Sequence, residues 1–139
     1  MTAETGPAKA VNPIRAGFRT ITPYLVVEGA ADLLKFIKAA FGAEEKFSVP
    51  GPGGKLMHAE ARIGDSMIEL ADANPKYPAM PAAIHLYMPD VDAVYQRALD
   101  AGAKSLAAPV DQPHGDRAGA VADPFGNFWF IATHFKDVI

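Results

Sequence analysis

The feature that most constrains this chain is that its order of elements occurs twice. The opening segments at Thr22 and Ala83, the helix-ending glycines Gly42 and Gly102, and the turn residues Asp65 and Gly126 are each about 60 residues apart. One duplicated unit accounts for all three separations.

In the first unit, Ile21 to Val27 is dense in β-branched and aromatic residues and reads as a strand, with Pro23 suited to a strand start or sheet edge. From Ala30 to Phe41, the residues Leu33, Phe36, Ile37, Ala40 and Phe41 recur at three- and four-residue spacing, and Gly42 supplies a helix stop. Ser48 to Gly54 holds prolines and glycines that neither a helix nor a central strand tolerates, so it is read as a loop. Leu56 to Ile63 and Ser66 to Ala71 form a hairpin about Gly64-Asp65. After a proline-rich loop over 74–81, the pattern restarts. A strand from Ala83 is followed by a helix that Asp90 caps and Gly102 ends, then by a long loop. A second hairpin, Ala118 to Ala122 with Phe128 to Thr133, closes about Asp123-Pro124-Phe125-Gly126-Asn127.

The expected fold is therefore α+β. Two βαβββ modules, over about 20–73 and 82–135, form a curved mixed sheet with helices on its outer face. Residues 1–17, with no apolar period, are expected to form a flexible arm before a single domain over 18–139. Half of the residues are apolar, enough for a core without staples, and the absence of cysteine removes disulfides and thiolate metal sites while suiting the cytoplasm. A net charge of −3 with scattered Lys and Arg argues against nucleic acid, and no apolar run or leader pattern points to a membrane or to export.

Hairpin pairing about Gly64-Asp65 sets Glu60 opposite Glu69, Arg62 opposite Met67 and His58 opposite Ala71, all on one sheet face. Opposed carboxylates repel unless a cation, a shared proton or a metal lies between them, and Arg62 is one candidate cation. The cluster reads as an ion-pair network, as polar ligand contacts, or as a divalent metal site on Glu69 and His58. Tyr24 on the first strand, and His85 and Tyr87 on its counterpart, face a common side and are candidate pocket walls; Phe130 and Trp129 are further candidates on the last strand. His114 to Arg117 is a weaker ligand-contact candidate, expected in a loop.

These segments, above all Asp123-Pro124-Phe125-Gly126-Asn127-Phe128-Trp129, resemble the vicinal-oxygen-chelate superfamily of glyoxalase I, bleomycin-resistance proteins and extradiol ring-cleaving dioxygenases. The resemblance runs from about Ile21 to His134 and implies paired βαβββ modules, often in homodimers with pockets at or near the subunit interface. It also implies metal ligands drawn from the first and last strand of each module. Those positions fall on Thr22, Glu69, Ala83 (with His85 two residues on) and Phe130, so three of the four expected ligands are missing. The resemblance therefore points away from glyoxalase I and typical ring-cleaving dioxygenases. The expectation is a homodimeric small-molecule-binding module needing no cofactor. The alternatives are a metal-dependent lyase, isomerase or dioxygenase with a site rearranged around Glu69 and His58, with His85 or Glu60 as a further ligand, or a partner-binding subunit.

Overall fold

The computed structural model describes residues 10–138. Strand β1 (Tyr24–Val27), helix α1 (Ala30–Phe41) and strands β2 (Glu44–Pro50), β3 (Leu56–Ile63) and β4 (Ser66–Asp72) make the first module. The second repeats that order with β5 (Ala83–Tyr87), α2 (Val91–Asp100), β6 (Lys104–Asp111), β7 (Asp116–Ala122) and β8 (Phe128–His134). Each module contributes its own four-stranded mixed sheet, ordered β1-β4-β3-β2 and β5-β8-β7-β6. In both, the first strand runs parallel to the last and the remaining pairs are antiparallel. The fold is α+β, as the duplicated pattern predicts.

Both helices fall where their spacing sets them. Helix α1 buries Leu33, Phe36, Ile37, Ala40 and Phe41 and ends at Gly42, whose φ of 69° lets the amides of Gly42 and Ala43 return to the carbonyls of Lys38 and Ile37. It has no capping side chain of its own. Asp72 at the end of β4 takes that role, its Oδ1 accepting from the amides of Gly29 (2.8 Å) and Ala30 (3.1 Å) while Oδ2 accepts from Leu56 (2.7 Å). Helix α2 is capped by Asp90, which accepts from the Ala93 amide, and is tied to β8 through the Thr133 hydroxyl.

Strands β2 and β6 depart from the sequence reading, which assigns loops to Ser48–Gly54 and to the stretch before the second hairpin. Both are edge strands. Most of their residues are exposed, so no buried side alternates with a polar one. Pro50 and Pro109 are tolerated because register shifts interrupt each edge pairing. Within the expected loop, Pro52–Gly54 forms a short 3₁₀ turn. The expected loop at His114 to Arg117 is likewise shortened, since Asp116 and Arg117 begin β7.

One core joins the two modules. Helix α1 packs on β1, β3 and β4, helix α2 on β6, β7 and β8, and the helices pack on each other. Phe41 meets Trp129 with ring centroids 4.8 Å apart. Trp129 is fully buried and donates its indole N–H to Asp123 Oδ2 at 2.8 Å. It therefore belongs to the core and is not the ligand wall the sequence offered. Each sheet thus has one face covered by a helix and one face that is not. Among the described residues, no helix is long and apolar enough to cross a membrane.

Candidate functional site

The uncovered face of the first sheet carries the polar cluster expected from the hairpin register. Strands β3 and β4 pair Glu60 with Glu69 and Arg62 with Met67, while parallel β1 sets Tyr24 beside Glu69. Period-two alternation sends Leu25, Val27, Ala59, Ala61, Ile68 and Leu70 into the core. The same alternation turns Tyr24, Val26, His58, Glu60, Glu69 and Ala71 the other way. His58 Nε2 lies 2.8 Å from Glu60 Oε2 and 3.7 Å from Glu69 Oε1.

The cation on this carboxylate pair is not Arg62. That guanidinium turns to the edge and donates to Glu44 Oε1 at 2.9 Å, because β2 sets Glu44 directly opposite it. Instead Arg15, from the segment before β1, donates through Nη1 to Glu60 Oε2 at 2.7 Å and stacks over the Phe18 ring. Burial pushes the Glu60 carboxyl up, but the hydrogen bonds from Arg15 and His58, with their charges, outweigh it and hold the carboxyl below its ordinary value. Burial first, and Glu69 second, raise the Tyr24 phenol. No sequence signal ties Arg15 to Glu60, 45 residues away in a stretch without periodicity.

Beside this cluster opens a cleft of about 800 Å³. Tyr24, Val26 and Ala71 line its sheet side, Met57 stands at the start of β3, and Asn74 and Tyr77 rise from the following loop. The two proline-rich segments that sequence reasoning treated only as connections, 51–55 and 73–77, supply much of its wall. Tyr24 links cleft and cluster, its ring centroid 6.1 Å from that of His58.

The other candidates stand on the second sheet and do not line this cleft. There His85 pairs in register with Phe130 and packs against Tyr87, the two rings tilted with centroids 4.7 Å apart. The Tyr87 hydroxyl donates to the buried Asp116, which also pairs with His134 Nδ1 at 2.7 Å. Hydrogen bonding from His134, partly offset by burial and joined by Tyr87, holds the Asp116 carboxyl below its ordinary value.

The profile of the glyoxalase/bleomycin resistance protein/dioxygenase superfamily matches residues 17–131. The chain belongs to that superfamily. Uncharacterized proteins of Mycobacterium bovis and Mycobacterium tuberculosis are each 43% identical to it over 129 residues, covering 85% of this chain and 85% and 76% of their own lengths. Among solved structures, TioX from Micromonospora covers 83% of this chain and 98% of its own, with a TM-score of 0.72 at 21% identity. A superfamily enzyme from Burkholderia phytofirmans covers 81% and 95%, with a TM-score of 0.62 at 17% identity. At those identities the likeness is one of fold.

Membership in the glyoxalase/bleomycin resistance/dioxygenase superfamily raises the question of a metal held between the two modules, and the side chains here do not fit one. Thr22 precedes β1, with its hydroxyl donating to the Arg19 carbonyl, and the register puts Tyr24, not Thr22, beside Glu69. In the second module Ala83 pairs with Phe128, and His85 with Phe130. Glu69 and His85 are the only ligating side chains among these positions, two where a catalytic metal takes at least three protein ligands.

Proposed function

We propose that this protein is a small-molecule-binding member of the superfamily that holds an apolar or aromatic ligand in the first-sheet cleft without changing it, and without the superfamily's usual two-module metal site. The observation that carries this reading is the cleft itself. Its volume of about 800 Å³ suits a compact organic ligand, its walls are largely apolar and aromatic, and the His58, Glu60 and Glu69 cluster stands beside it, next to Tyr24. Tyr24, Met57 and Tyr77 would contact the ligand body, while His58, Glu60 and Glu69 orient its polar part.

We further propose that the working unit is a cytoplasmic homodimer. On the uncovered face of the second sheet, Tyr87 is 65% exposed and Phe130 41%, an apolar surface where a solvated face would carry polar side chains. A second copy laid against the first sheet would roof the cleft with those rings, bringing His85, Tyr87 and Phe130 to the ligand.

Exposure of the protein to a panel of aromatic and alicyclic compounds, followed by mass spectrometry of what it retains, tests the binding reading. Ligands recovered chemically intact are expected; steady conversion of a retained compound ends it. The alternative, a metal-dependent lyase, isomerase or dioxygenase, is favoured by one observation, the grouping of His58, Glu60 and Glu69. Conversion that persists in chelator-treated protein excludes it.

A further inference from the structure

We propose that His58, Glu60 and Glu69 hold a divalent first-row cation within the first module alone, at a place the Arg15 guanidinium takes when no such ion is bound. The three side chains offer one imidazole nitrogen and two carboxylate oxygens, all within 4.8 Å of one another. Two ligands stand two residues apart on β3 and the third is the cross-strand partner of Glu60 on β4, so adjacent backbone pairs fix their spacing. This is not a two-module arrangement: no residue of the second module enters it.

A second observation points to a ligand. Glu60 is 3% exposed, and its Oε1 is buried with no hydrogen-bond donor among the described residues. A buried carboxylate oxygen left unpaired is costly, and a bound cation removes that cost. Its other oxygen, Oε2, is shared between His58 and Arg15. Glu60 and Glu69 also face each other directly, and two carboxylates so placed favour positive charge between them.

Arg15 meets part of that demand by an exchangeable contact. Its side chain is 66% exposed, it comes from outside the sheet, and it reaches only one of the two carboxylates. The guanidinium lies in water while the carboxylate it meets is buried, so a divalent ion that satisfies Glu60 from within the cluster releases the guanidinium to solvent. An imidazole with two carboxylates and no thiolate selects ions such as Mn²⁺, Ni²⁺ and Zn²⁺ over Cu⁺, and the nitrogen donor disfavours Ca²⁺ and Mg²⁺. Three protein ligands leave coordination positions for water or for an oxygen of a molecule in the adjoining cleft.

Calorimetric titration of the chelator-stripped full chain with Mn²⁺, Ni²⁺ and Zn²⁺, with no organic compound present, tests this site separately from the ligand-binding reading. One ion per chain is expected, with affinity at least tenfold weaker in His58→Ala and in the conservative Glu69→Gln. Arg15→Ala, which removes the competing cation, is expected to bind about three- to tenfold tighter. On addition of Zn²⁺, the Arg15 side-chain NMR signal should move to a freely solvated position. The absence of saturable binding, or binding unchanged in His58→Ala and Glu69→Gln that both retain native circular dichroism, overturns the site. An Arg15→Ala affinity equal to that of the unaltered protein overturns the displacement.

Discussion

Asp123 is the most heavily used acceptor in the turn between β7 and β8. Its carboxylate takes hydrogen bonds from the amides of Phe125 and Asn127, from Asn127 Nδ2 and from the indole of Trp129. Asp123→Ala leaves the last two donors buried without partners and is expected to cost about 3 kcal/mol of stability by urea denaturation. Asp65, its counterpart in the first hairpin, is exposed and bonds only the neighbouring Ser66 hydroxyl, so Asp65→Ala should fall within about 0.5 kcal/mol of the unaltered protein. The two hairpins look alike as sequence, yet only one turn is a buried polar lock. Legibility of the site divides the same way. The opposition of Glu60 and Glu69 follows from counting back from a two-residue turn, whereas Arg15 on Glu60 is a long-range contact that no local pattern encodes. Trp129 is the converse: alternation places it opposite Phe128 and Phe130 but does not say which face the helices cover.

At the scale of elements, both helices and both hairpins were legible because each buries a periodic face. The edge strands β2 and β6 were not, since a strand exposed on both sides carries no alternation and tolerates the prolines that argue against it. The segment after β8 shows what an element boundary can conceal. The amides of Phe135 and Lys136 both donate to the Gly115 carbonyl, and Gly115, at φ 95°, sits so close to the Lys136 carbonyl that a Cβ has no room. His134 fastens this strap, its Nε2 paired with Asp137 and its Nδ1 with Asp116. Those partners, Asp137 first, raise the imidazole above its ordinary value, so its contribution is fully present below about pH 6.5 and is lost as pH rises through the higher folded value. Hydrogen exchange at Phe135 and Lys136 should therefore accelerate above neutral pH beyond the intrinsic base-catalysed increase. In His134→Gln that extra acceleration should be absent.

For the whole molecule, duplication explains both the architecture and what the chain leaves unfinished. Two modules joined through their helices share one core, yet each keeps an uncovered sheet face bearing large apolar side chains, among them Phe47 at 50% exposure and Phe130. Light scattering on size-exclusion fractions is expected to give twice the chain mass. Phe130→Asp, which places a charge on the proposed contact face, should shift that mass to the monomer while circular dichroism is retained. The repeat made the fold legible, but it did not disclose the cleft, whose walls come from the connections at 51–55 and 73–77 rather than from the periodic elements. The central claim is that this cleft holds a small molecule, and amide NMR during titration with monocyclic aromatic fragments tests it most directly. The account predicts that fragments shift the signals of Val26, Met57, Ala71 and Ala73, and that the shifts vanish in Ala71→Phe, whose ring fills the sheet side of the cleft. Fragments that leave those four signals unmoved, or that shift them equally in a folded Ala71→Phe variant, would contradict it.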